Sequence, residues 1–415
     1  LFKMKSSIQL FTTLLALSLV QHASADLTIR LTGSTAFRAG THKAIVAMMG
    51  GETNCKFATA MISGNSTATQ AGYEGADYSV IQGNATGITG VTTVQCTWTG
   101  SATGIADVAQ GNNLLFIPVS SLPVSNGYTN ATVGNGSTRA TQSTTARMAF
   151  SDVYQSSTPT PTPALVNNNL AIIPFCFVAN RGTTGITNMT QQLSRALWTN
   201  GSQPKKLFTG NSAAADANDL VLAVGRDNGS GTRITQLAET KYGVFTPVQQ
   251  WKISSTGTTI TTAQVWPIND GVGSFAAGNG GYSSGSTIRN FMPYTSTSVT
   301  LKDDLGNDVA TGLPVTLITW LGISDANTAV TNLAVRLSYE GVTYDGSNAS
   351  LIYEGLYTAW GYLHLYHPSG LSTDETQFRT NLATQLDNAT TLGAAGLRIS
   401  QMQVSRSNDG ATVGP

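Results

Sequence analysis

Leu220–Val224 (LVLAV) runs into Gly225–Thr232 (GRDNGSGT), and Ile234–Lys241 continues with helical spacing. An apolar strand, a small-residue turn and a helix, in that order, mark an α/β unit. The turn also carries chemistry. Arg226 offers a planar fork of N–H donors to an oxyanion. Gly229 and Gly231 let the backbone approach closely. Ser230 and Thr232 add hydroxyls, and the free N–H groups of a helix start point the same way. In isolation, a surface turn capped by Ser or Thr reads identically. A phosphate-binding nucleotide loop is not expected, because that loop needs a lysine before its hydroxyl residue.

Working outward, a second unit precedes the first. Leu170–Val178 is a continuous apolar run with the look of a central strand, Asn180–Gly185 a turn, and Thr187 or Asn188 the cap of a helix through Gln191, Leu193, Ala196, Leu197 and Trp198. Two successive strand–turn–helix units predict a parallel, βαβ-type sheet. Near the start, Asp26–Leu31 alternates as a short strand. Thr32–Phe37 (TGSTAF) then leads into a helix over Arg38–Met49. Ser34 and Thr35 there serve either as plain N-caps or as part of a second anion cradle. Arg147–Phe150 leads to Ser151 and Asp152, which places an acid at a strand's carboxyl end, where α/β proteins keep their ligands. An ordinary turn Asp fits the same pattern. Elsewhere Asn113–Val119 and Pro314–Ile323 read as buried strands and Ser254–Val265 as a hairpin. Val335–Tyr344 reads as a strand pair, and Tyr353–Tyr366 and Thr373–Leu386 as helices.

The 415 residues suffice for two domains, or for one discontinuous pair. Charged residues are only 11%, with 22 basic against 22 acidic, so general nucleic-acid binding is not expected. Residues 1–25 read as a secretory signal: Lys3 and Lys5, an apolar Ile8–Val20, and Ala23-Ser24-Ala25 as a cleavage site before Asp26. A periplasmic or extracellular protein is therefore expected. Cys55 and Cys96 could pair in such a compartment, whereas Cys176 sits in an apolar run as a buried hydrophobe.

Gly281–Gly285 (GYSSG) matches the serine-hydrolase pattern G-x-S-x-G, with Ser283 as nucleophile and Asp325 or Asp345, then His364 or His367, in hydrolase order. Its flank is not an apolar strand, and such matches arise by chance in Gly/Ser-rich loops. His364 and His367, three apart near a presumed helix end, have no acidic or cysteine partner nearby in sequence, so no metal site is expected.

Three segments in order, TGSTAF at Thr32–Phe37, SDV at Ser151–Val153 and RDNGSGT at Arg226–Thr232, resemble the periplasmic phosphate-binding proteins of phosphate ABC importers. The intervening IPFCFVAN…ITNMTQQLSRALWTNG is also similar, and the likeness covers most of Asp26–Ile323. The resemblance implies a two-lobed α/β clamshell with two interlobe crossings. One lobe would hold 26–176 and 320–415, the other 177–319. It implies an exported, non-enzymatic monomer without cofactor that hands phosphate or a related oxyanion to importer membrane subunits; a surface protein with a non-binding version of the same fold is the alternative beside the Ser283 hydrolase. Its ligand-binding set would be Ser34, Thr35, Ala36 and Phe37 from the first turn; Asn84, where the family has a Gly-Ser turn and this chain Gly83-Asn84; Ser151 and Asp152; and Arg226, Ser230, Gly231 and Thr232. Asn228 stands where the pattern has an acid, so either Arg226 lacks the acid that steadies it or the adjacent Asp227 substitutes. A carboxylate at Asp152 is repulsive to an anion unless the anion brings a proton, which favours hydrogen phosphate over sulfate.

Overall fold

The computed structural model describes residues 26–61, 73–128, 133–267, 276–393 and 396–415; the signal-type segment lies outside them. The first part of the chain holds strands β1 (Leu27–Gly33), β2 (Lys56–Met61), β3 (Tyr78–Gly83), β4 (Thr92–Thr97), β5 (Asn113–Phe116), β6 (Val133–Asn135), β7 (Gln142–Thr145) and β8 (Met148–Ser151). Helices α1 (Arg38–Met48) and α2 (Ser101–Gln110) follow β1 and β4. The long β9 (Val166–Ala179) comes next. Beyond it lie β10 (Asn188–Met189), α3 (Gln191–Asn200), β11 (Ser202–Pro204), β12 (Leu220–Ala223), α4 (Gly231–Glu239), β13 (Trp251–Thr256), β14 (Thr259–Val265), α5 (Gly285–Phe291), β15 (Val299–Lys302), β16 (Asp308–Leu313) and β17 (Val315–Gly322). The chain closes with α6 (Ile323–Thr331), β18 (Val335–Arg336), β19 (Ser338–Tyr339), β20 (Trp360–His367) and α7 (Thr373–Leu386).

A 12-stranded mixed sheet runs β11-β12-β17-β9-β20-β8-β1-β4-β3-β2-β6, with β18 also on β9. β9 joins its two halves. Residues 166–174 pair with β20, and Phe175–Ala179 pair with β17. Leu170–Ala179 is buried throughout, as a central strand covered on both faces must be. Phe175 stacks on Trp320 of β17, with ring centroids 5.7 Å apart. The expected parallel pairing holds for β1–β4, β1–β8 and β12–β17. β9, however, is antiparallel to both its neighbours. It carries the chain across without turning, so the strands leading back run against it. A separate four-stranded sheet, β13-β14-β15-β16, contains the expected hairpin.

Several local expectations change. Tyr353–Tyr366 is not a helix: a helical turn ends at Tyr353 and β20 follows, buried at all eight positions. Leu356, counted in the helical spacing, is 62% exposed, and the aromatic WGYLHLY run takes strand geometry instead. His364 and His367 are thus strand residues. β5 stops at Phe116 and pairs only with β7, leaving Leu115 half exposed. Val335–Tyr344 is no hairpin, because β18 pairs with β9 and β19 with β10. Those pairings keep Val335–Tyr339 with the middle of the chain, past the expected boundary at 319/320, which itself falls inside β17. Thr190, not Thr187 or Asn188, caps α3, its hydroxyl accepting from Leu193 N at 3.1 Å. Cys55 and Cys96 are both free. Cys55 precedes Lys56, which pairs with Gln82, whereas Cys96 pairs with Ser79. The two lie two strands and roughly 13 Å of strand length apart, beyond disulfide reach.

Candidate oxyanion site

Three parallel strands of the first half end side by side. In register, Thr32 of β1 is level with Thr97 of β4, and Gly33 with Phe150 of β8. Their carboxyl-end turns, 34–37, 98–101 and 151–153, therefore converge, as ligand-binding crevices of α/β sheets do. Across from them, β12 runs into the Arg226–Thr232 loop and α4.

Asp152 is fully buried. Its carboxylate accepts the Ser101 hydroxyl on Oδ1 and the Thr232 hydroxyl on Oδ2, the latter at 3.3 Å, while Asp152 N donates to Ser101 Oγ at 3.3 Å. Burial pushes its proton affinity up, and Ser101, its own N–H, Arg226 and Thr232 pull against that. The two halves touch through backbone here: Ala102 N donates to Gly229 O at 3.0 Å. Gly100 and Gly231 make the approach possible. A Cβ on Gly231 would stand 1.8 Å from Asp152 Oδ1 and 2.5 Å from Ser101 Oγ, and one on Gly100 would stand 2.8 Å from Gly229 O.

Arg226 is 3% exposed. Nε donates to Tyr282 O at 2.9 Å, and Nη2 to Ser283 O at 2.7 Å and to Thr35 Oγ1 at 3.2 Å, the last across the two halves. None of these bonds uses Nη1. Burial lowers the Arg226 pKa, opposed first by Asp227 and then by Asp152. Asp227 thus acts as the nearby acid, while Asn228 is exposed. Asp227 also fixes the loop, since its Oδ1 accepts from Gly229 N at 2.9 Å. Ser230 caps α4, accepting from Arg233 N at 3.4 Å. Arg233 and Gln250 both donate to Arg226 O, holding the loop from behind.

Of the expected residues, the structure brings together Thr35, Asp152, Arg226, Gly231 and Thr232, with Ser230 as the helix cap. Ser34 and Ala36 form the same turn, Ala36 N donating to Ser34 Oγ at 3.3 Å. Phe37 is fully buried in the core as the first residue before α1. Ser151 is buried but turned back on Val153, donating to its O at 2.8 Å. Asn84 is not in the cluster. It is exposed beyond Gly83, which pairs with Thr92 at the opposite end of β4 from Thr97, roughly 17 Å along the strand. Ser101 stands in the cluster, bonded to Asp152, and the strand–Gly–Ser–helix order at Thr92–Gln110 is the signal that could have found it.

Ser283 lacks a triad. His364, fully buried, bonds Asn167 through Nδ1 at 2.9 Å, and His367 bonds Asn168 and Pro368. Asp325 pairs with Arg289, and Asp345 bonds Ser347. Among the described residues, no group of three or more His, Cys, Asp or Glu could hold a metal, and no helix is long and apolar enough to cross a membrane.

No family model and no curated protein matches the chain. Solved structures are similar to it at low identity. A putative phosphate ABC transporter substrate-binding protein with bound phosphate from Clostridium perfringens has TM-score 0.45 and 10% identity, covering 89% of this chain and 98% of its own. An ABC-type phosphate transport receptor from Vibrio cholerae has TM-score 0.44 and 12% identity, covering 89% and 99%. A possible phosphate binding protein from Planctomyces limnophilus has TM-score 0.40 and 12% identity, covering 91% and 95%. At such scores the functional reading rests on the residues themselves. Those residues gather hydroxyls, two helix N-termini, a buried carboxylate and a buried guanidinium at one seam, and anion-binding sites are built from helix N-termini and guanidinium groups.

Proposed function

We propose that the chain is an exported solute-binding protein that captures hydrogen phosphate, or a closely related protonated oxyanion, between its two halves. It passes the ligand to the membrane subunits of an ABC importer, acts as a monomer and does no chemistry on its ligand. One lobe comprises 26–176 with the C-terminal part of the chain, the other the middle, with the return crossing after Tyr339 rather than at 319/320. The observation that carries this reading is Asp152: a fully buried carboxylate, facing hydroxyls from both halves, beside a buried arginine. A buried acceptor of this kind rejects an anion that has no proton to give. Ser34, Thr35, Ala36 and Phe37 supply the first turn, Ser101 replaces Asn84, Ser151 braces Asp152 from behind, and Arg226, Ser230, Gly231 and Thr232 close from the opposite side by hinge motion.

Calorimetric titration of the purified protein with phosphate, arsenate and sulfate tests this. Phosphate and arsenate are expected to bind and sulfate at least about hundredfold more weakly, as for a site that hydrogen-bonds a ligand proton. Sulfate binding as tightly as phosphate removes the role given to Asp152.

A further inference from the structure

A helix on one half of a two-part clamp ordinarily keeps a polar face in water. α4 keeps none: all nine of its residues are buried, among them Arg233, Gln236 and Glu239. Its N-terminal end meets the Asp152 turn through Gly231 and Thr232. Its C-terminal end is covered by the segment 405–414. Ser405 N donates to Gly414 O at 2.6 Å and Gly414 N to Ser405 O at 3.0 Å, so this segment closes into a loop. One side of the loop lies on the first half. Asp409 Oδ2 accepts from Tyr154 N, Tyr154 OH donates to Arg406 O at 3.1 Å, and Ser157 Oγ donates to Asn408 Oδ1 at 3.4 Å. The other side lies on α4 and the residues after it. Arg406 Nη1 donates to Glu239 Oε2 at 3.0 Å, with the guanidinium over the Trp360 ring, and Lys241 Nζ donates to Gly410 O. A Cβ on Gly410 would stand 2.3 Å from Ala238 O, so the two backbones touch directly.

Thr358, just before β20, tightens the Glu239 end. Its hydroxyl donates to Glu239 Oε1 and its carbonyl accepts from Arg406 Nη2, both at 2.6 Å. Both carboxylate oxygens of Glu239 are thus answered from outside the middle half. A buried ion pair bonded in this way resists separation. Swinging α4 off the Asp152 turn as the halves part breaks these contacts, and none of them involves a ligand. We infer that the loop 405–414 is a strap that latches α4 on the Asp152 turn, so that the two halves stay closed without ligand and release of the strap gates both entry to the site and exit from it. Arg406 is a positioning residue of that site, acting through Glu239 and α4. The inference rests on the oxyanion reading of the Asp152–Arg226 cluster. A latched clamp needs no closing step when it binds, which raises affinity and slows exchange.

Association and dissociation of radiolabelled phosphate, with small-angle scattering of the whole protein, test the strap. The variants are Arg406→Met together with Glu239→Gln, which removes both charges at once, and Gly410→Ala, which keeps the ion pair and lifts the loop off Ala238. The unaltered protein is expected to have the same radius of gyration with and without phosphate. Both variants are expected to be wider without phosphate and to contract on adding it. Both rate constants are expected to rise in each variant, at least about tenfold in the double one, with affinity falling by less than dissociation speeds up. Contraction of the unaltered protein on binding phosphate overturns the strap. So does faster dissociation with unchanged association, the mark of loosened packing alone. If the unaltered protein binds no phosphate, the oxyanion reading fails by itself and the ligand-free radius decides the strap: wider variants uphold it, and variants of unchanged radius overturn it.

Discussion

The two halves of the candidate site are built on opposite plans. The middle half supplies one continuous loop, Arg226–Thr232, in which arginine, helix cap and hydroxyl are all neighbours in sequence. The first half supplies separate turns: Ser101 and Asp152, bonded to each other, are 51 positions apart. Adjacent residues make the first kind of site. Strand register makes the second, because β8, β1 and β4 must lie parallel and level before their turns can meet. A contiguous site is broken by changing one side chain, a dispersed one by changing any contact that aligns the strands' ends.

The sharpest break is Arg226→Ala. It removes the buried cation and the only described side-chain bond from Arg226 across to Thr35. Phosphate affinity is expected to fall at least about hundredfold, equivalent to ~2.7 kcal/mol. Asp152 and Asp227 lose the charge that opposes their burial, so a stability loss of about 3 kcal/mol is expected in denaturant unfolding. Arg226→Lys keeps the charge but not the fork, and belongs between the two. Native-like affinity in Arg226→Ala would show that the contiguous loop is not the clamp.

Gly231→Ala attacks the seam between the plans. The added methyl would overlap Asp152 Oδ1 and Ser101 Oγ, so α4 must back away from α2. Overpacking of this kind costs about 1–3 kcal/mol. Affinity is expected to drop about tenfold or more, with small-angle scattering showing a more open ligand-bound form. A variant that closes as before places the seam elsewhere.

Ser101→Ala against Asn84→Ala separates register from resemblance. Removing the Ser101 hydroxyl strips Asp152 of a buried donor, at a cost of about 1–3 kcal/mol in stability, and is expected to weaken phosphate roughly tenfold. Asn84→Ala, at the far end of β4, is expected to change neither. The reverse outcome would restore Asn84 to the site.

This pair also shows what could be read from the chain. The Arg226–Thr232 loop was legible because its chemistry and its helix cap are written consecutively. Leu170–Val178 was legible as a central strand because burial on both faces demands an unbroken apolar run. Asp152 was legible from its place after a short apolar strand. Ser101 was not assigned, since choosing Gly100-Ser101 over Gly83-Asn84 requires knowing that β3 runs antiparallel to β4. Tyr353–Tyr366 was misread because a buried strand rich in aromatics also shows apolar residues at helical intervals. The bridge between Cys55 and Cys96 failed for the same reason as Asn84: nearness in sequence said nothing about strand ends.

The smallest effect belongs to a prop behind the dispersed half. Asp409, in the C-terminal tail, accepts Tyr154 N at 2.8 Å through Oδ2, two residues from Asp152. Burial pushes its carboxyl from 3.8 up to about 7, with Asp152 adding to the rise and Ser157, Tyr154 N and Arg406 opposing it. The folded form therefore holds a proton between about pH 4 and 7 that the unfolded chain has released. Stability from this group is fully present below about pH 4 and is lost as pH rises through 7. Buried neutral His42 and His364, lowered to about 4 and 3, act in the other direction below about pH 6.5, so only the difference between variant and unaltered protein isolates Asp409. Asp409→Asn retains an acceptor for Tyr154 N and cannot ionise. Its melting temperature is expected to exceed that of the unaltered protein at pH 8 by a few degrees, with the gap closing toward pH 4.5. A gap that stays constant with pH would mean that Asp409 titrates as an ordinary carboxylate and that the Asp152 turn does not lean on the tail.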